Sequence, residues 1–202
     1  MSSDKLNNDI RSLNLIDDDQ SGKWALAAHE AIMSIEDVVL NLLSGKSYIS
    51  PSAKIHPTAV IGDNVFIGSN VEIGPYSYIR SFVVLCDDVK IGYCVEVDRC
   101  ILFERVKASH HASIGRCIIG QDSNLAFGFV IATRNLYNKP IIIHLPNSKT
   151  IVSTRKHHGA AIGSRLKTGV NVAIMPGITI FQDVTIRPSQ IITRYVLSHK
   201  SL

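Results

Sequence analysis

From Ile49 onward an aliphatic residue returns at every sixth position: Ile49, Ile55, Ile61, Ile67, Ile73, Ile79, Leu85, Ile91 and Val97. Four residues after each stands a smaller or β-branched partner: Ala53, Ala59, Val65, Val71, Ser77, Val83, Val89, Val95 and Ile101. A six-residue repeat of this kind predicts a parallel β-helix, in which each hexad supplies one short strand and a turn and the aliphatic side chains stack inward coil upon coil. A second series runs through Ile162, Thr168, Ile174, Ile180, Ile186 and Ile192, and Ile119, Leu125 and Ile131 carry the beat between the two. Two segments, 103–113 and 133–159, fall off the beat and are predicted to be excursions from the wall, where sites are usually built.

Before the repeats the period is different. Trp24, Ala27, Ala28, Ala31, Ile32, Ile35, Val38, Val39, Leu42 and Leu43 recur at three and four, which predicts one amphipathic helix over 21–46 ending near Gly45. A lone helix cannot bury its own stripe, so it is expected to pack on the β-helix of 47–197 or on a partner chain. Residues 1–20 read as a flexible polar leader.

Composition narrows the class without naming a chemistry. Hydrophobic residues make up 46% and charged residues 19% of 202, which suits a globular protein, and the formal net charge of +4 is too small to announce nucleic acid by itself and suits an anionic small molecule equally well. Cys86, Cys94, Cys100 and Cys117 form no C-x-x-C pair, so reduced structural thiols are expected, with no metal site. No stretch reads as a secretory signal or a membrane span. A soluble cytoplasmic protein with no nucleic-acid or membrane partner is the expectation.

The stretches "YIRSF", "CVEVDRC", "KASHHASIGRCIIGQDSNLAFG" and "TRKHHGAAIGSRLKTGVNVAIMPGITI" resemble the acyltransferase domain of archaeal and bacterial bifunctional sugar-1-phosphate nucleotidyltransferase/acetyltransferases. The resemblance spans roughly residues 22–190. No glycine-rich G-x-G-T-R-L signature precedes it, so it is to that domain standing alone. It implies a left-handed, three-sided parallel β-helix and a homotrimer with acyl-CoA sites between subunits. It also implies acetyl-CoA as donor and an amino sugar, with or without phosphate, as acceptor.

Residue by residue, the resemblance places His110 on the family's general base. An amine attacking a thioester must lose a proton as the C–N bond forms, and imidazole accepts one near neutrality. The off-beat segment is expected to lift His110 out of the wall. His111, where the family has leucine, reads equally as structural or as a substrate contact. Arg80, Glu96, Asn124 and Lys139 fall on or near substrate-binding positions, each of which reads alternatively as a solvated coil residue. The backbone N–H of Phe127 lies where the family stabilises an oxyanion. Arg155, Lys156 and Lys167 read either as a coenzyme A phosphate site or as a solvated basic edge. The small pair Ala160 and Ala161 is expected to let a pantetheine arm lie against the wall.

The chain also departs from the family pattern, with Asp98 for a lysine, Ser113 for a tyrosine, and Phe127 and Phe129 for smaller residues. These changes put the acceptor in question more than the reaction class. They also leave open a rival reading as a non-catalytic trimeric hexapeptide-repeat scaffold or ligand-binding protein.

Overall fold

The structure is a computed structural model that describes residues 3–16, 23–146 and 149–197. It is mainly β, a parallel solenoid of about eight turns with three helices against one side. Ile49 pairs with Ile67, which pairs with Leu85, and each inward aliphatic residue sits on its counterpart one coil away. The interior is the continuous stack that the six-residue beat predicts, including Ile67, Ile73, Ile79, Leu85, Ile91, Val97, Leu125, Ile174 and Ile186.

The three corners between faces are made by columns of residues in the left-handed region. Asn70, Asp88, Arg105, Asp122, Arg165 and Asp183 form one, and Tyr76, Cys94, His111, Gly128, Asn171 and Ser189 a second. Asn64, Phe82, Arg99 and Arg116 begin the third. The first column is also a charge ladder, in which Arg105 chelates Asp122 at 2.6 and 2.8 Å and Arg165 chelates Asp183 at 2.6 and 2.9 Å.

The faces differ in what they point outward. One shows Phe66, Val84, Ile101, Ile118 and Ala161, and the helices bury it. The second shows Lys54, Glu72, Lys90, Lys107, Asn124 and Lys167 in successive coils and is called the lysine face below. The third shows Tyr78, Glu96, Ser113, Val130 and Ala173.

Three boundary expectations are corrected. First, the leader is not all mobile. Residues Ser3–Ser12 form helix α1, which buries Leu6 and Ile10 against the helix-covered face. The Asn7 amide donates to Asp87 at 2.7 Å, and Arg11 Nε donates to Glu104 at 3.0 Å. Residues 17–22 lie outside the described residues.

Second, the single helix is two, α2 (Lys23–Met33) and α3 (Ile35–Leu43). The break at Ser34 has a cause in two side-chain hydrogen bonds. Arg155 Nε captures the Met33 carbonyl at 2.7 Å, and the Ser34 hydroxyl turns back onto the Glu30 carbonyl at 3.2 Å; such side-chain bonds compete with a continuing helix.

Third, residues 103–113 are not an excursion. Lys107–His110 is a strand of the lysine face, with Lys107 opposite Lys90, Ala108 opposite Ile91 and His110 opposite Tyr93. The beat shifts because two successive coils are 17 residues long, Leu85 to Leu102 and Leu102 to Ile119. Each loses one residue at the third corner, where strands Glu96–Leu102 and Ser113–Ile119 run through without a break.

Residues 133–159 do leave the wall at that same corner. They carry an antiparallel hairpin, Ile142–His144 with Thr150–Val152, and Arg134 bridges to His157 at the base. Beneath them the solenoid closes directly, Ile119 against Ile162.

Candidate active site

The third face is the floor of the candidate site. Its outward positions in the middle coils are small, with Ser113 and Gly115, then Val130 and Ala132, then Ala173. His110 and His111 immediately precede this floor along the chain, at the corner it shares with the lysine face. The excursion rises from its opposite edge.

His110 is exposed at the end of its strand, in the wall rather than lifted out of it. His111 takes the left-handed corner, with φ of 49°, and its ring lies 5.1 Å from that of Tyr93 and 5.3 Å from that of Phe127. Tyr76 continues this aromatic column, 5.9 Å from Tyr93.

Below His110 the lysine face carries a groove of about 750 Å³, lined by Lys54, His56, Glu72, Lys90, Lys107 and Ser109, with glycines in its floor. Gly92 is required there. A Cβ on it would stand 1.6 Å from the Ser109 carbonyl oxygen, beside the Tyr93–His110 pair.

Phe127 occupies the position before the left-handed residue in its corner. The equivalent positions in other coils are Pro57, Pro75 and Pro188, so the wall hydrogen bonding needs no donor at this place. The Phe127 N–H is accordingly spare, while its carbonyl accepts from Asn171 at 2.8 Å.

On the floor Arg80, Glu96 and Asp98 form one cluster. Arg80 Nη1 donates to Glu96 at 3.1 Å, and Arg80 Nε lies 3.6 Å from Asp98. Asp98 foremost, then the Glu96 hydrogen bond, hold the guanidinium above its ordinary pKa. Arg80, expected at a substrate-binding position, is thus already covered by two carboxylates.

Lys139, Arg155 and Lys156 come together across the excursion. With Arg134, Asn135, Asn138 and His157 they line a cavity of about 500 Å³ whose lining contains no carboxylate. Outside it, Arg155 lies 3.5 Å from Glu36 of α3, which also binds Arg99 at 2.9 Å and Arg116 at 3.2 Å. Burial pushes the Glu36 carboxyl up, but its backbone hydrogen bond, Arg99 and the charges of Arg116 and Arg155 outweigh this and hold it below the usual range.

Two sets of expected residues fall elsewhere. Asn124 and Lys167 are register partners on the lysine face, around the corner from Arg80 and Glu96. Ala160 and Ala161 are fully buried, Ala160 in the solenoid interior and Ala161 under the helices. They are corrected here, because α2 covers the strip of wall along which a pantetheine arm was expected to run. The Glu36 cluster and the contact of buried His29 with His158 are the main additions.

The fold and this floor define a hexapeptide-repeat β-solenoid. The family model of the bacterial transferase hexapeptide (six repeats) matches residues 65–99. Along 186 residues, 91% of its length, it is 37% identical to a bifunctional sugar-1-phosphate nucleotidylyltransferase/acetyltransferase of Sulfurisphaera tokodaii, and it covers 45% of that protein. It is 31% identical over 125 residues to the bifunctional protein GlmU of Methanocaldococcus jannaschii, covering 62% of this chain and 30% of that one. The chain thus spans less than half the length of these curated relatives. Among solved structures, that of the polysialic acid O-acetyltransferase OatWY aligns with a TM-score of 0.47 and 22% identity, over 76% of this chain and 78% of that one. No helix among the described residues is long and apolar enough to cross a membrane, and no three His, Cys, Asp or Glu side chains among them are grouped to hold a metal ion.

Proposed function

We propose that the protein is an acyl-CoA-dependent N-acyltransferase, using acetyl-CoA to acylate an amino sugar, with His110 as general base. The observation that carries this reading is the pairing of an exposed imidazole on one edge of a small-residue floor with a carboxylate-free cationic cavity on the other. The acetyltransferase relatives support it.

In this reading the phosphates of coenzyme A take the cavity of Lys139, Arg155 and Lys156, where the two ammonium groups supply charge-assisted donors and Arg155, tied to Glu36 and the Met33 carbonyl, fixes the wall to the helices. The acceptor amine lies over the floor. His110 takes a proton from the neutral acceptor amine as its nitrogen attacks the thioester carbonyl, and the spare Phe127 N–H receives the developing oxyanion. The tetrahedral adduct collapses with cleavage of the C–S bond, and the imidazolium returns the proton to the leaving thiolate. His111 orders the corner between Tyr93 and Phe127.

Asn124 and Lys167 face away from Arg80 and Glu96 within one protomer, so they join the same site only across copies. A cyclic trimer with the donor between neighbours accommodates both sets.

Calorimetry with acetyl-CoA, followed by CoA release against a panel of amino sugars with and without phosphate, tests the reading. Micromolar binding and amine-dependent release are expected. A protein that neither binds nor turns over is a hexapeptide-repeat scaffold instead.

A further inference from the structure

A chain of four buried side chains runs from α2 through the wall into the excursion. His29 and His158 are both fully buried. Thr179 Oγ1 lies 2.9 Å from His29 Nε2, His29 Nδ1 lies 2.8 Å from His158 Nε2, and His158 Nδ1 lies 3.2 Å from the Ser153 hydroxyl. Ser153 Oγ in turn donates to the Arg155 carbonyl at 3.3 Å and accepts from the Arg155 N–H at 3.2 Å.

One proton arrangement satisfies every partner. Ser153 donates to Arg155, His158 Nδ1–H to Ser153, His29 Nδ1–H to His158, and the Thr179 hydroxyl to His29. Both imidazoles are neutral in it, each with one donor and one acceptor nitrogen in use. Ser153 and His158 bracket Arg155, Lys156 and His157, three of the residues lining the cationic cavity. The His158 N–H also donates to the Thr133 carbonyl at 2.8 Å, closing the foot of the excursion.

We infer that the Thr179–His29–His158–Ser153 chain is a positioning device for that cavity, pinning the returning arm of the excursion to α2 while both rings are neutral and releasing it when they gain protons. The inference rests on the proposed reading only in treating the cavity as the donor phosphate site. The charge that acts on His158 opposes protonation. Arg116, from the third corner, is the cation acting on His158; Glu36 of α3 is occupied by Arg99, Arg116 and Arg155; and Ser153 and Thr179 carry no charge. Burial first, and then the neighbouring ring for His29 or Arg116 for His158, hold both below the ordinary histidine value.

An opened excursion frees His158 to titrate near pH 6.5, so at pH 5 opening is favoured about 30-fold by this ring alone. Hydrogen exchange of the full chain, read by mass spectrometry at pH 7.5 and 5.0 and corrected for intrinsic rates, measures it. Peptides from 133–159 should lose protection by about 30-fold between the two, and solenoid peptides from 54–91 should not. His158→Asn, which keeps a donor and removes the titration, should flatten that dependence.

At pH 7.5 His29→Ala should speed exchange in the same peptides and weaken binding of inorganic pyrophosphate about tenfold or more. Thr179→Val, which removes only the far end of the chain, gives a smaller change of the same sign and serves if His29→Ala does not fold. Exchange in 133–159 that ignores both pH and these variants, or that changes equally throughout the solenoid, overturns the inference. If the exchange pattern holds while neither pyrophosphate nor acetyl-CoA binds the wild type, the proposed function fails and the pinning of the excursion stands.

Discussion

Arg80 places its guanidinium 3.1 Å from the Glu96 carboxylate, and with Asp98 at 3.6 Å it stands on the floor as a saturated cation rather than a waiting one. An acceptor phosphate at this place meets the Glu96 carboxylate and that of Asp98, which Arg99 also holds at 2.7 Å. Kinetics with a matched pair of acceptors, an amino sugar and its 1-phosphate, should show no preference of the wild type for the phosphorylated one. Asp98→Asn should lower KM for the phosphorylated acceptor about threefold to tenfold, about 1 kcal/mol for a half-exposed charge, and leave the other within twofold. An unchanged ratio would remove this cluster from the acceptor site.

His110 and His111 are adjacent in sequence but differ in placement. His110→Ala should reduce turnover by about 10²–10⁴-fold with little change in acetyl-CoA affinity, as loss of a general base does. His111→Ala should cost about tenfold or less, through loosening of the Tyr93–Phe127 corner. Single-turnover rates for the two variants make the comparison, and near-normal chemistry in His110→Ala rejects the assignment.

Gly92 supports His110 through backbone contact. Its missing side chain admits the Ser109 carbonyl, so Gly92→Ala must push apart the strands that hold Tyr93 opposite His110. A loss of about 1–3 kcal/mol, typical of overpacking, should appear in denaturant melts together with reduced turnover. A melt identical to wild type would contradict the close approach.

Helix α1 contributes to stability. Leu6 and Ile10 are fully buried, and truncating either to alanine should cost about 2–5 kcal/mol. Urea unfolding of Leu6→Ala is the direct measurement, and a flexible polar leader would show no change.

Acid should destabilise the whole chain in a defined window. His158 is held at about 4 and His29 well below 6.5, whereas both titrate near 6.5 when unfolded. The unfolded state therefore binds the extra protons. Stability is complete above about pH 6.5 and falls as pH drops towards 4, by about 1.4 kcal/mol per pH unit for each ring. Urea midpoints at pH 7.5, 6 and 5 for the wild type and His158→Asn should diverge at neutral pH and converge on acidification.

Much of this architecture was legible because a solenoid writes its interior into the sequence at fixed spacing. Ile49 to Val97 predict coils that the structure matches pair by pair. Two losses of register misled. At Asp98–Ile101 and Arg116–Ile118 a residue is missing from the corner, and a counter of sixes cannot tell a shortened coil from an insertion, so His110 was lifted from a wall that it never leaves. Leu6 and Ile10 were too few to announce a helix among polar neighbours, and only the apolar cluster they join, which includes Phe66, Val84 and Phe103, explains why they fold. The break at Ser34 depends on Arg155, more than a hundred residues away. At the site, His110 and the cation run were visible as residue types. The neutralisation of Arg80, the burial of Ala161 and the His29–His158 contact are meetings of distant segments and have no local signature.

Ile119 rests on Ile162 as closely as Leu102 rests on Ile119, although the first step spends 43 residues and the second 17. The tower does not register what is hung between those floors. Lengthening, shortening or exchanging the segment that carries Lys139 and Arg155 leaves every stacked aliphatic where it was, so a lineage can retailor the ligand end of such a molecule without refolding its trunk.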